Sequence, residues 1–363
     1  MDISLHDVRQ RPDAVYIDVR SPGEFAEGHI PGAHNVPLLD NDERAQVGTV
    51  YKHQGPSAAK RLGLALVAPK LPELIERIRT LTGEGTPVIY CWRGGLRSKF
   101  VTMMAQFLDI PALRLIGGYK AYRRHVLAFH EAPTWNGRFI VLHGNTGVGK
   151  TTILQRLAAD GYPVLDLEAC ASHRGSVFGH IGLESQPPQP LFEAYLFETL
   201  DRLRDKPFIF LEAESRRIGK LMTPKWIMER KESGIHVWLT AELETRVQRI
   251  VAEYTPLDPE TVRVQWREAL ASIEKRLERT VRAAIQDALD RYDFATAARL
   301  LLVHWYDPRY RHARERYVEQ FEATIDAEDL DAAVDALKRL YDRLAATEPV
   351  AAGTGAADPR ASE

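Results

Sequence analysis

Two alternating patterns of apolar and polar residues run through the first 130 residues. The apolar runs in "AVYIDVRS", "TPVIYC" and "LRLIGG" are short and end in polar residues or turn signals, which predicts buried strands. Between them, "PELIERIRTL" and "RSKFVTMMAQFL" have the pattern of helices. Because strands and helices alternate, we expect residues 1–130 to form an α/β domain with a parallel sheet.

The alternation resumes after "HEAPTWNG", whose Pro133 and Gly137 favour a linker. "RFIVLHG", "YPVLDL", "PFIFLEAE" and "IHVWLT" predict strands of a second α/β domain over residues 131–255. From residue 256 the strand pattern stops. Apolar residues between Trp266 and Leu289 then recur every three or four positions, which predicts one long helix in a helical extension, residues 256–346. Small and polar residues predict a disordered tail over 347–363.

Composition narrows the class of protein. The 363 residues suffice for about two domains, and a net charge of -2 gives no overall field for nucleic acid, so an RNA partner requires a local basic patch. Two cysteines cannot form a disulfide framework, the N-terminus has no signal-peptide pattern, and no apolar run approaches a membrane span. We therefore expect a cytoplasmic protein with neither a membrane nor DNA as its partner.

The segment "YCWRGGLRSK" places a thiol in a glycine-rich basic turn at a strand end, where α/β sheets bind ligands. Cys91 is the candidate nucleophile, and Arg93 and Arg97 supply donors for an oxyanion. The spacing C-x5-R suits a loop that surrounds a tetrahedral anion with backbone N–H groups. The alternative is a buried structural cysteine. The other residues expected in this loop are Trp92, Gly94, Gly95, Leu96 and Ser98.

The segment "HGNTGVGKTT" matches the phosphate-binding pattern G-x4-G-K-T between a predicted strand and helix. Lys150 is expected to contact the outer phosphates, and Thr151 is a candidate Mg²⁺ ligand. The pattern predicts a diphosphate or triphosphate ligand without deciding which. The predicted diphosphate-binding residues are Gly144, Asn145, Thr146, Gly147, Val148, Gly149, Lys150, Thr151 and Thr152.

Two further polar segments, "DLEACASHRGSVFG" and "PFIFLEAESRR", could serve this loop. Their carboxylates could position water or hold a metal ion, and their basic residues could bind pyrophosphate or RNA. The alternative for the arginines is a solvated surface pair, and Cys170 is expected to be structural. The candidates are Asp166, Glu168, His173, Arg174, Glu212, Glu214, Arg216 and Arg217.

Two basic segments are candidates for tRNA contact. "IEKRLERTVR" places basic residues on one predicted helical stripe, although alternating glutamates favour a solvent-exposed, ion-paired face. "YDPRYRHARERY" combines arginines with tyrosines, as single-stranded RNA sites do. The candidates are Lys275, Arg279, Arg309, Arg311 and Arg314.

The segments "YIDVRSPGEFAEGHIPGAHNVPL" and "VIYCWRGGLRS" resemble a rhodanese domain, over roughly residues 1 to 125. That resemblance assigns structural roles to Asp18, Arg20, Glu24, His29 and Gly32. The insert "LLDNDERAQVGTVYKHQGPSAAKRLG" is less typical of a simple rhodanese. A rhodanese-like parallel-sheet domain followed by a P-loop NTPase-like α/β domain with a helical C-terminal region resembles the tRNA 2-selenouridine synthase family. "PLLDNDERAQVGTVYK", "GNTGVGKT", "DLEACASHRGSVFG" and "EAESRRIG" carry this second resemblance, with Cys170 as a departure.

The resemblance implies a transferase acting on wobble 2-thiouridine in tRNAs for lysine, glutamate and glutamine. It implies S-geranylation from geranyl diphosphate at the P-loop, then selenium transfer from selenophosphate. Cys91 would attack selenium and carry it, while Arg93 and Arg97 would neutralise the departing phosphate. No tightly bound cofactor is implied, Mg²⁺ is a candidate ion, and a selenophosphate-supplying enzyme is a candidate partner.

The sequence leaves three alternatives open. An ATP-dependent rhodanese-type sulfurtransferase would adenylate its substrate and consume ATP. A phosphatase would also use C-x-x-G-x-x-R-S, but Tyr90 stands where that pattern usually has histidine. A catalytically idle rhodanese fold could sense an anion, although retention of Cys91 argues against that.

Overall fold

The computed structural model describes residues 1–175, 181, 185–254 and 258–347, without the side chains of residues 254, 311–314, 316 and 318. Residues 348–363, nearly all of the predicted tail, lie outside it. The chain divides into two compact units: Met1–Pro133 with Pro188–Glu198, and Thr134–Pro187 with the chain from Thr199 onward. Among the described helices, none is both long and apolar enough to cross a membrane.

A five-stranded parallel sheet forms the first unit, with strand order β1-β5-β4-β2-β3. The strands are β1 Asp2–Ile3, β2 Ala14–Asp18, β3 His34–Asn35, β4 Thr86–Tyr90 and β5 Leu113–Leu115. The helices are α1 Leu5–Val8, α2 Pro22–Ala26, α3 Asn41–Val67, α4 Leu71–Thr82, α5 Leu96–Phe107 and α6 Gly118–Glu131, with a 3-10 turn at Ala68–Lys70. The three strands predicted in this region are confirmed.

Strand β4 is buried along its whole length at the centre of this sheet, since β2 and β5 pair with its two edges. A central parallel strand has apolar neighbours on both faces, and helices cover those faces here. Helix α4 contributes Leu74, Ile75 and Ile78 to the core on one side. The chain leaves β4 directly into Cys91, so the packed sheet fixes where the thiol lies.

Helix α3 is the insert that distinguishes this unit from a simple rhodanese pattern. It begins with a capping box in which Asp40 accepts from the N–H of Glu43 and the Glu43 side chain accepts from the N–H of Asp40. The helix is kinked at Gly55, which has φ 82° and is followed by Pro56. The kink divides α3 into two arms, of which Ala59 and Val67 of the second are buried.

The second unit contains a four-stranded parallel sheet of order β11-β10-β6-β7. Its strands are β6 Arg138–His143, β7 Phe208–Glu212, β10 Ile235–Thr240 and β11 Phe321–Asp326; β8 Arg217–Ile218 and β9 Leu221–Met222 form a separate antiparallel pair. The helices are α7 Lys150–Ala159, α8 Leu167–Ala171, α9 Gln189–Arg202, α10 Lys225–Glu232, α11 Leu243–Tyr254, α12 Pro259–Ile273, α13 Arg279–Asp290, α14 Phe294–Leu301, α15 Asp307–Tyr317 and α16 Leu330–Thr347, with 3-10 turns at Glu274–Arg276 and Val318–Gln320. Residues Gln189 to Glu198 of α9 belong to the first unit.

Strand β11 corrects the prediction that strands stop after residue 256. It pairs in parallel with β10 and forms an edge of the sheet. Its residues alternate between half-buried and exposed because one face covers the core and the other meets solvent. The C-terminal region is therefore not wholly helical. Conversely, "YPVLDL" forms a single bridge, from Val164 to Phe210, rather than a strand.

The long helix predicted from Trp266 to Leu289 is also wrong. Helix α12 ends at Ile273, and α13 begins at Arg279. Between them Leu277 is extended, with φ -102° and ψ 145°. The break keeps both apolar faces in one core, which contains Ile273 and Val281.

A π-helical segment at Leu302–Tyr306 joins α14 to α15 without a turn. Such a segment inserts an extra residue into a helix and often lies at functional sites. Leu302, Trp305 and Tyr306 are buried within it. The segment thereby sets the direction in which the first turn of α15 faces.

Candidate functional site

The sulfur of Cys91 is held within its own loop. Its Sγ accepts a hydrogen bond from the backbone N–H of Gly95 at 3.2 Å and lies 3.3 Å from Ser98 Oγ. The cysteine is 3% exposed and α5 begins directly after Gly95. The thiol therefore lies at the positive N-terminal end of a helix, as the sequence predicts for an anion-binding loop.

Glycines are needed at two places where the loop meets the next turn. Gly94 has φ 65°, and a Cβ there would lie 2.6 Å from the carbonyl oxygen of Leu115. Gly118 has φ 56°, and a Cβ there would lie 2.1 Å from the carbonyl oxygen of Cys91. That carbonyl accepts from the N–H of Tyr119 at 2.9 Å. Backbone packing thus fixes the Cys91 loop from behind.

Arg97 is positioned by Glu24, to which the rhodanese resemblance gave a structural role. Glu24 accepts hydrogen bonds from Arg97 through both carboxylate oxygens, at 2.6 and 3.2 Å. A capping box with Ser21 fixes Glu24 at the start of α2. Burial opposes the charge of Glu24, but the hydrogen bonds and charge of Arg97 outweigh it and lower the pKa of this carboxyl. Arg93 is exposed and has no ion pair with any described residue.

The phosphate-binding loop connects β6 to α7, the strand–loop–helix context that the pattern requires. Within the loop, Lys150 Nζ donates to the carbonyl oxygen of Gly144 at 2.9 Å. Thr151 Oγ1 donates to Glu168 at 3.1 Å. Both side chains expected to contact phosphate or metal are thus hydrogen-bonded to the protein itself. A ligand would take over these donors.

Buried carboxylates lie beside this loop. Glu212, at the end of β7, accepts from the N–H of Glu168 at 2.8 Å through Oε1, while its Oε2 is buried without a hydrogen-bond partner among the described atoms. Burial, with the charges of Asp166 and Glu168, raises the pKa of Glu212 well above its usual value. Burial and the charge of Glu214 raise the pKa of Glu168 to about 8. Because their pKa values are raised, these carboxyl groups tend to stay protonated, and a cation bound beside them would favour their ionised form.

Gly175 allows two of these carboxylates to come together. It has φ 63°, and a Cβ there would lie 2.4 Å from Glu214 Oε1 and 2.6 Å from Glu168 Oε1. The sequence placed Glu168, Glu212 and Glu214 near the phosphate-binding loop without showing that they meet. Burial raises the pKa of Cys170 to about 12, which is consistent with a structural cysteine.

A cavity of about 770 Å³ includes residues of the phosphate-binding loop in its lining, which consists of a polar set and an apolar set of residues; we call these sets the polar half and the apolar half. The polar half includes Lys150, Thr151, Glu168, His173 and Arg249. The apolar half is formed by side chains of α11, α12, α14 and the π-helical segment. These are Ile250, Trp266, Ala298, Leu301, Leu302 and Tyr306. The cavity can hold a molecule with an anionic head and a hydrocarbon body.

Three residues that secure this loop escaped the sequence analysis. Arg246 donates to the carbonyl oxygen of Thr146 at 2.9 Å and forms a two-point ion pair with Asp307. Arg249 donates to the carbonyl oxygen of Val148 at 2.8 Å. The arginine spacing in "ETRVQRIV" puts both on one face of α11, and this is the local signal that could have revealed them.

The basic residues predicted near the phosphate-binding loop differ in whether they line the cavity. Arg174 lines the cavity, donates to the carbonyl oxygen of Ile181 at 2.6 Å and forms an ion pair with Glu253. His173 is buried against the cavity. Arg216 and Arg217 are exposed and do not line it.

The residues predicted to contact tRNA do not form the helical stripe that the sequence indicated. Lys275 and Arg279 do not share one helical stripe, because the break after α12 separates them. Arg309 stacks on Trp305, with 3.2 Å from its guanidinium carbon to the ring centroid. The side chains of Arg311 and Arg314 lie outside the described residues. Tyr310 lies at the phosphate-binding loop, with its hydroxyl 3.3 Å from Thr146 Oγ1.

In comparisons with known proteins, two different family models match the N-terminal and C-terminal parts of the chain. A family model described as the tRNA 2-selenouridine synthase AAA domain matches residues 137–340, and a rhodanese-like domain model matches residues 4–125. A Pseudomonas syringae pv. tomato protein named tRNA 2-selenouridine synthase is 36% identical over 342 residues, covering 85% of this chain and 91% of that protein.

A protein of the same name from Nitrosomonas eutropha is 37% identical over 252 residues, covering 68% of this chain. The match spans 64% of that relative, which is less than two thirds of its length. Among solved structures, TT1252 from Thermus thermophilus has 19% identity and a TM-score of 0.28, covering 56% of this chain and 98% of that one.

Proposed function

Because this chain belongs to the tRNA 2-selenouridine synthase family, we propose that it is a tRNA-modifying transferase that converts wobble 2-thiouridine to 2-selenouridine. The proposed route has two steps: S-geranylation from geranyl diphosphate in the second unit, and selenium transfer from selenophosphate at Cys91. The proposed partners are tRNAs for lysine, glutamate and glutamine. The observation that carries the proposal is a cavity lined both by the phosphate-binding loop and by apolar side chains.

The two halves of the cavity fit the two parts of geranyl diphosphate. The loop N–H groups and Lys150 would bind the diphosphate, and Trp266, Leu301 and Leu302 would contact the hydrocarbon. The ribose hydroxyls and base of a nucleoside triphosphate would need hydrogen-bond partners that these apolar side chains do not supply, whereas a hydrocarbon needs none. The cavity therefore favours a prenyl diphosphate over ATP.

In the first step the thiocarbonyl sulfur attacks C1 of the geranyl group. The C1–O bond breaks, its electron pair leaves with pyrophosphate, and the N3 proton of the base goes to solvent. Lys150 would exchange its bond to Gly144 for the developing charge on pyrophosphate. Leaving-group stabilisation of this kind is an electrostatic contribution that the fixed donors of the loop can supply.

A magnesium ion fits the polar half, although no set of three or more His, Cys, Asp or Glu side chains in the described part of the chain could hold a metal by itself. Magnesium commonly binds one or two carboxylates together with substrate phosphates. Thr151 Oγ1 lies 3.1 Å from Glu168 Oε2. Glu212 Oε2 is buried without a hydrogen-bond partner among the described atoms. Thr151 and Glu168 would hold the ion, which would neutralise charge on the diphosphate.

In the second step we favour attack by Cys91 on phosphorus over attack on selenium. Attack on selenium would leave phosphorus as phosphite, and the resulting Cys–Se adduct would need a reductant before its selenium could reach the base. Attack on phosphorus breaks the P–Se bond, whose electron pair leaves with selenium, and forms an S–P bond. The selenide takes the proton that the Cys91 thiol loses and becomes hydrogen selenide. Water then releases phosphate and regenerates Cys91, with Arg97 compensating the anion charge.

Selenide then attacks C2 of the S-geranyl base. The C2–S bond breaks, its electron pair leaves with geranyl thiolate, and the proton of hydrogen selenide moves to N3. Geranyl thiolate takes a proton from solvent. Atoms and electrons balance without an external oxidant or reductant, because geranylation has converted the sulfur into a leaving group.

Mass spectrometry of wobble nucleosides tests the proposal. A 2-thiouridine tRNA incubated with both small molecules should yield 2-selenouridine, and omission of selenophosphate should leave the S-geranyl nucleoside. Selenouridine formed without geranyl diphosphate would contradict the order of steps. Unchanged nucleosides with rapid ATP consumption would favour the ATP-dependent sulfurtransferase instead.

A further inference from the structure

A second apolar cavity, of about 1030 Å³, lies in the first unit between the two arms of α3 and the start of α5. Leu38, Leu39, Ala59 and Val67 form its buried floor. We call this cavity the α3 groove. Tyr51, Leu64 and Leu96 flank it and are 58%, 57% and 64% exposed. Large apolar side chains so exposed and so close together are unusual and indicate a binding surface.

The groove is continuous with the Cys91 loop. Leu96 and Arg97 belong to that loop and also line the groove. Arg97 is the residue held by Glu24, and Ser98, next in the chain, lies 3.3 Å from the Cys91 sulfur. A base that receives selenium released at Cys91 could therefore extend an apolar substituent into the groove.

The charges around the groove suit an RNA strand. Arg44, Lys52 and Lys60 line it, Arg44 in an ion pair with Glu24, and no Asp or Glu is among the described residues that line it. Lys52 and Lys60 are exposed and form no ion pair with other residues in the described part of the chain. Apolar walls with a cationic rim match a hydrocarbon carried by a polyanion.

We propose that the α3 groove binds the geranyl group of the S-geranylated wobble base and presents C2 of that base to the selenium released at Cys91. This inference rests on the proposed function, because a prenylated RNA exists only if the first step occurs. The groove would explain how a base bearing a ten-carbon chain docks in the rhodanese-like unit. Each buried CH2 group strengthens binding by about fourfold.

The test separates the selenium step from the geranylation step. The full-length protein is given selenophosphate and a synthetic anticodon stem-loop that already carries S-geranyl-2-thiouridine or S-methyl-2-thiouridine. Both substrates have a thiolate leaving group, but the methyl group cannot fill the groove. We expect kcat/KM for the geranyl substrate to exceed that for the methyl substrate by about 100-fold or more, which corresponds to burying a few CH2 groups.

Two variants change the groove in different ways. Leu64→Gln makes one wall polar, and Gly48→Leu fills open space, since no atom lies within 4 Å of a Cβ at Gly48. Gly48 is helical, so leucine also improves helix propensity and the variant should fold at least as well. Each variant should cut the geranyl-to-methyl ratio about tenfold through KM for the geranyl substrate. Leu127→Gln, an exposed leucine of α6 outside the groove, should leave the ratio unchanged.

Each outcome decides between proposals. An unchanged ratio in both folded groove variants, with the geranyl substrate still converted, overturns the groove and leaves the two-step route standing. Failure of the wild type to convert the geranyl RNA, while it converts 2-thiouridine RNA directly, overturns the two-step route and the groove with it. A change in oligomeric state on sedimentation, with the ratio intact, would assign the groove to a second copy of this chain.

Discussion

The Cys91 loop and the phosphate-binding loop both follow a buried parallel strand and lead into a helix, yet they are held in different ways. In the first, the sulfur already accepts a hydrogen bond from Gly95, and Glu24 fixes Arg97. In the second, Lys150 and Thr151 donate to Gly144 and Glu168 of the protein itself. The Cys91 loop is organised before an anion arrives, whereas the phosphate-binding loop must exchange internal bonds for ligand bonds.

The neighbouring carboxylates account for the contrast. Glu24 has its pKa lowered by the half-buried Arg97, so it stays ionised and restrains a positive charge beside the thiol. Glu168 has a pKa raised to about 8, so near neutral pH it is largely protonated until a cation approaches. We conclude that the first site depends on a fixed ion pair and the second on the protonation of a carboxyl group.

The largest expected effects come from disabling each loop separately, because each variant should lose a different reaction step. Cys91→Ser should lower selenium incorporation by about 1000-fold or more while geranylation continues, because removing a nucleophile abolishes its covalent route. Lys150→Ala should lower geranylation by about 100-fold, the order expected for a lost electrostatic donor. Quantifying S-geranyl and seleno nucleosides separately measures both.

Matched controls keep that result specific. Cys170→Ser removes the second cysteine and Lys225→Ala an exposed lysine, and both should retain both steps. If Cys91→Ser and Lys150→Ala each stopped both steps equally, the division of labour between the loops would be refuted. Pre-geranylated RNA should restore selenium incorporation in Lys150→Ala and leave it absent in Cys91→Ser.

A smaller effect should follow from releasing Arg97. Glu24→Gln removes the carboxylate that accepts both Arg97 hydrogen bonds, so the guanidinium loses its fixed position. We expect kcat for the selenium step to fall about tenfold, and geranylation to be unaffected, since one charge-assisted pair contributes about 1.5–3 kcal/mol. The measurement is single-turnover kinetics on pre-geranylated RNA.

Glu27→Gln is the control for that change, because Glu27 is an exposed residue at the end of the same helix. It should behave as the wild type. A tenfold loss in Glu27→Gln as well would show that α2, rather than the ion pair, had been disturbed. An Arg97→Lys variant would sharpen the test, since lysine keeps the charge without the two-point geometry.

The smallest expected effect is on stability against pH, and it belongs to the phosphate-binding side. The folded pKa of Glu168 is raised to about 8 from 4.5, so its contribution to stability is fully present below about pH 4.5 and is lost as the pH rises through 8. The free energy of unfolding should therefore fall between pH 5 and 8, by about 1 kcal/mol or more.

Chemical denaturation at several pH values measures that slope. Glu168→Gln should flatten it, because an amide does not titrate, whereas Glu229→Gln on the exposed face of α10 should keep it. A slope that survives in Glu168→Gln would assign the titration to another carboxyl of the cluster. Magnesium with diphosphate should also reduce the slope if a cation takes the place of the proton.

Local patterns made much of the fold predictable. Strands β2, β4, β6, β7 and β10 are short apolar runs with clear boundaries, and both loops could be read within ten residues of sequence. The pairs that hold the loops could not, because Glu24 and Arg97 are separated by 73 positions and Thr146 and Arg246 by 100. Such contacts depend on the packed sheet, which no local pattern encodes.

Two of the wrong predictions, the end of the strands at residue 256 and the single helix from Trp266 to Leu289, have physical reasons. Strand β11 forms an edge of the sheet, and its apolar residues Phe321, Ala323 and Ile325 alternate with polar ones, so it lacks the continuous apolar run by which the other strands of this sheet were predicted. The break near Leu277 contains neither glycine nor proline, so no breaker residue marked it. Tertiary packing of α12 and α13 in one core decides where the helix ends.

The π-helical segment at Leu302–Tyr306 makes the phosphate-binding loop sensitive to chain length. Asp307, the next residue, contacts Arg246, and Tyr310, in the first turn of α15, contacts Thr146. Deleting one residue there would restore an uninterrupted α-helix and rotate everything downstream by about 100°. Homologues with a one-residue gap at this point should have lost both contacts, so such a gap in an aligned sequence would mark an altered phosphate-binding loop.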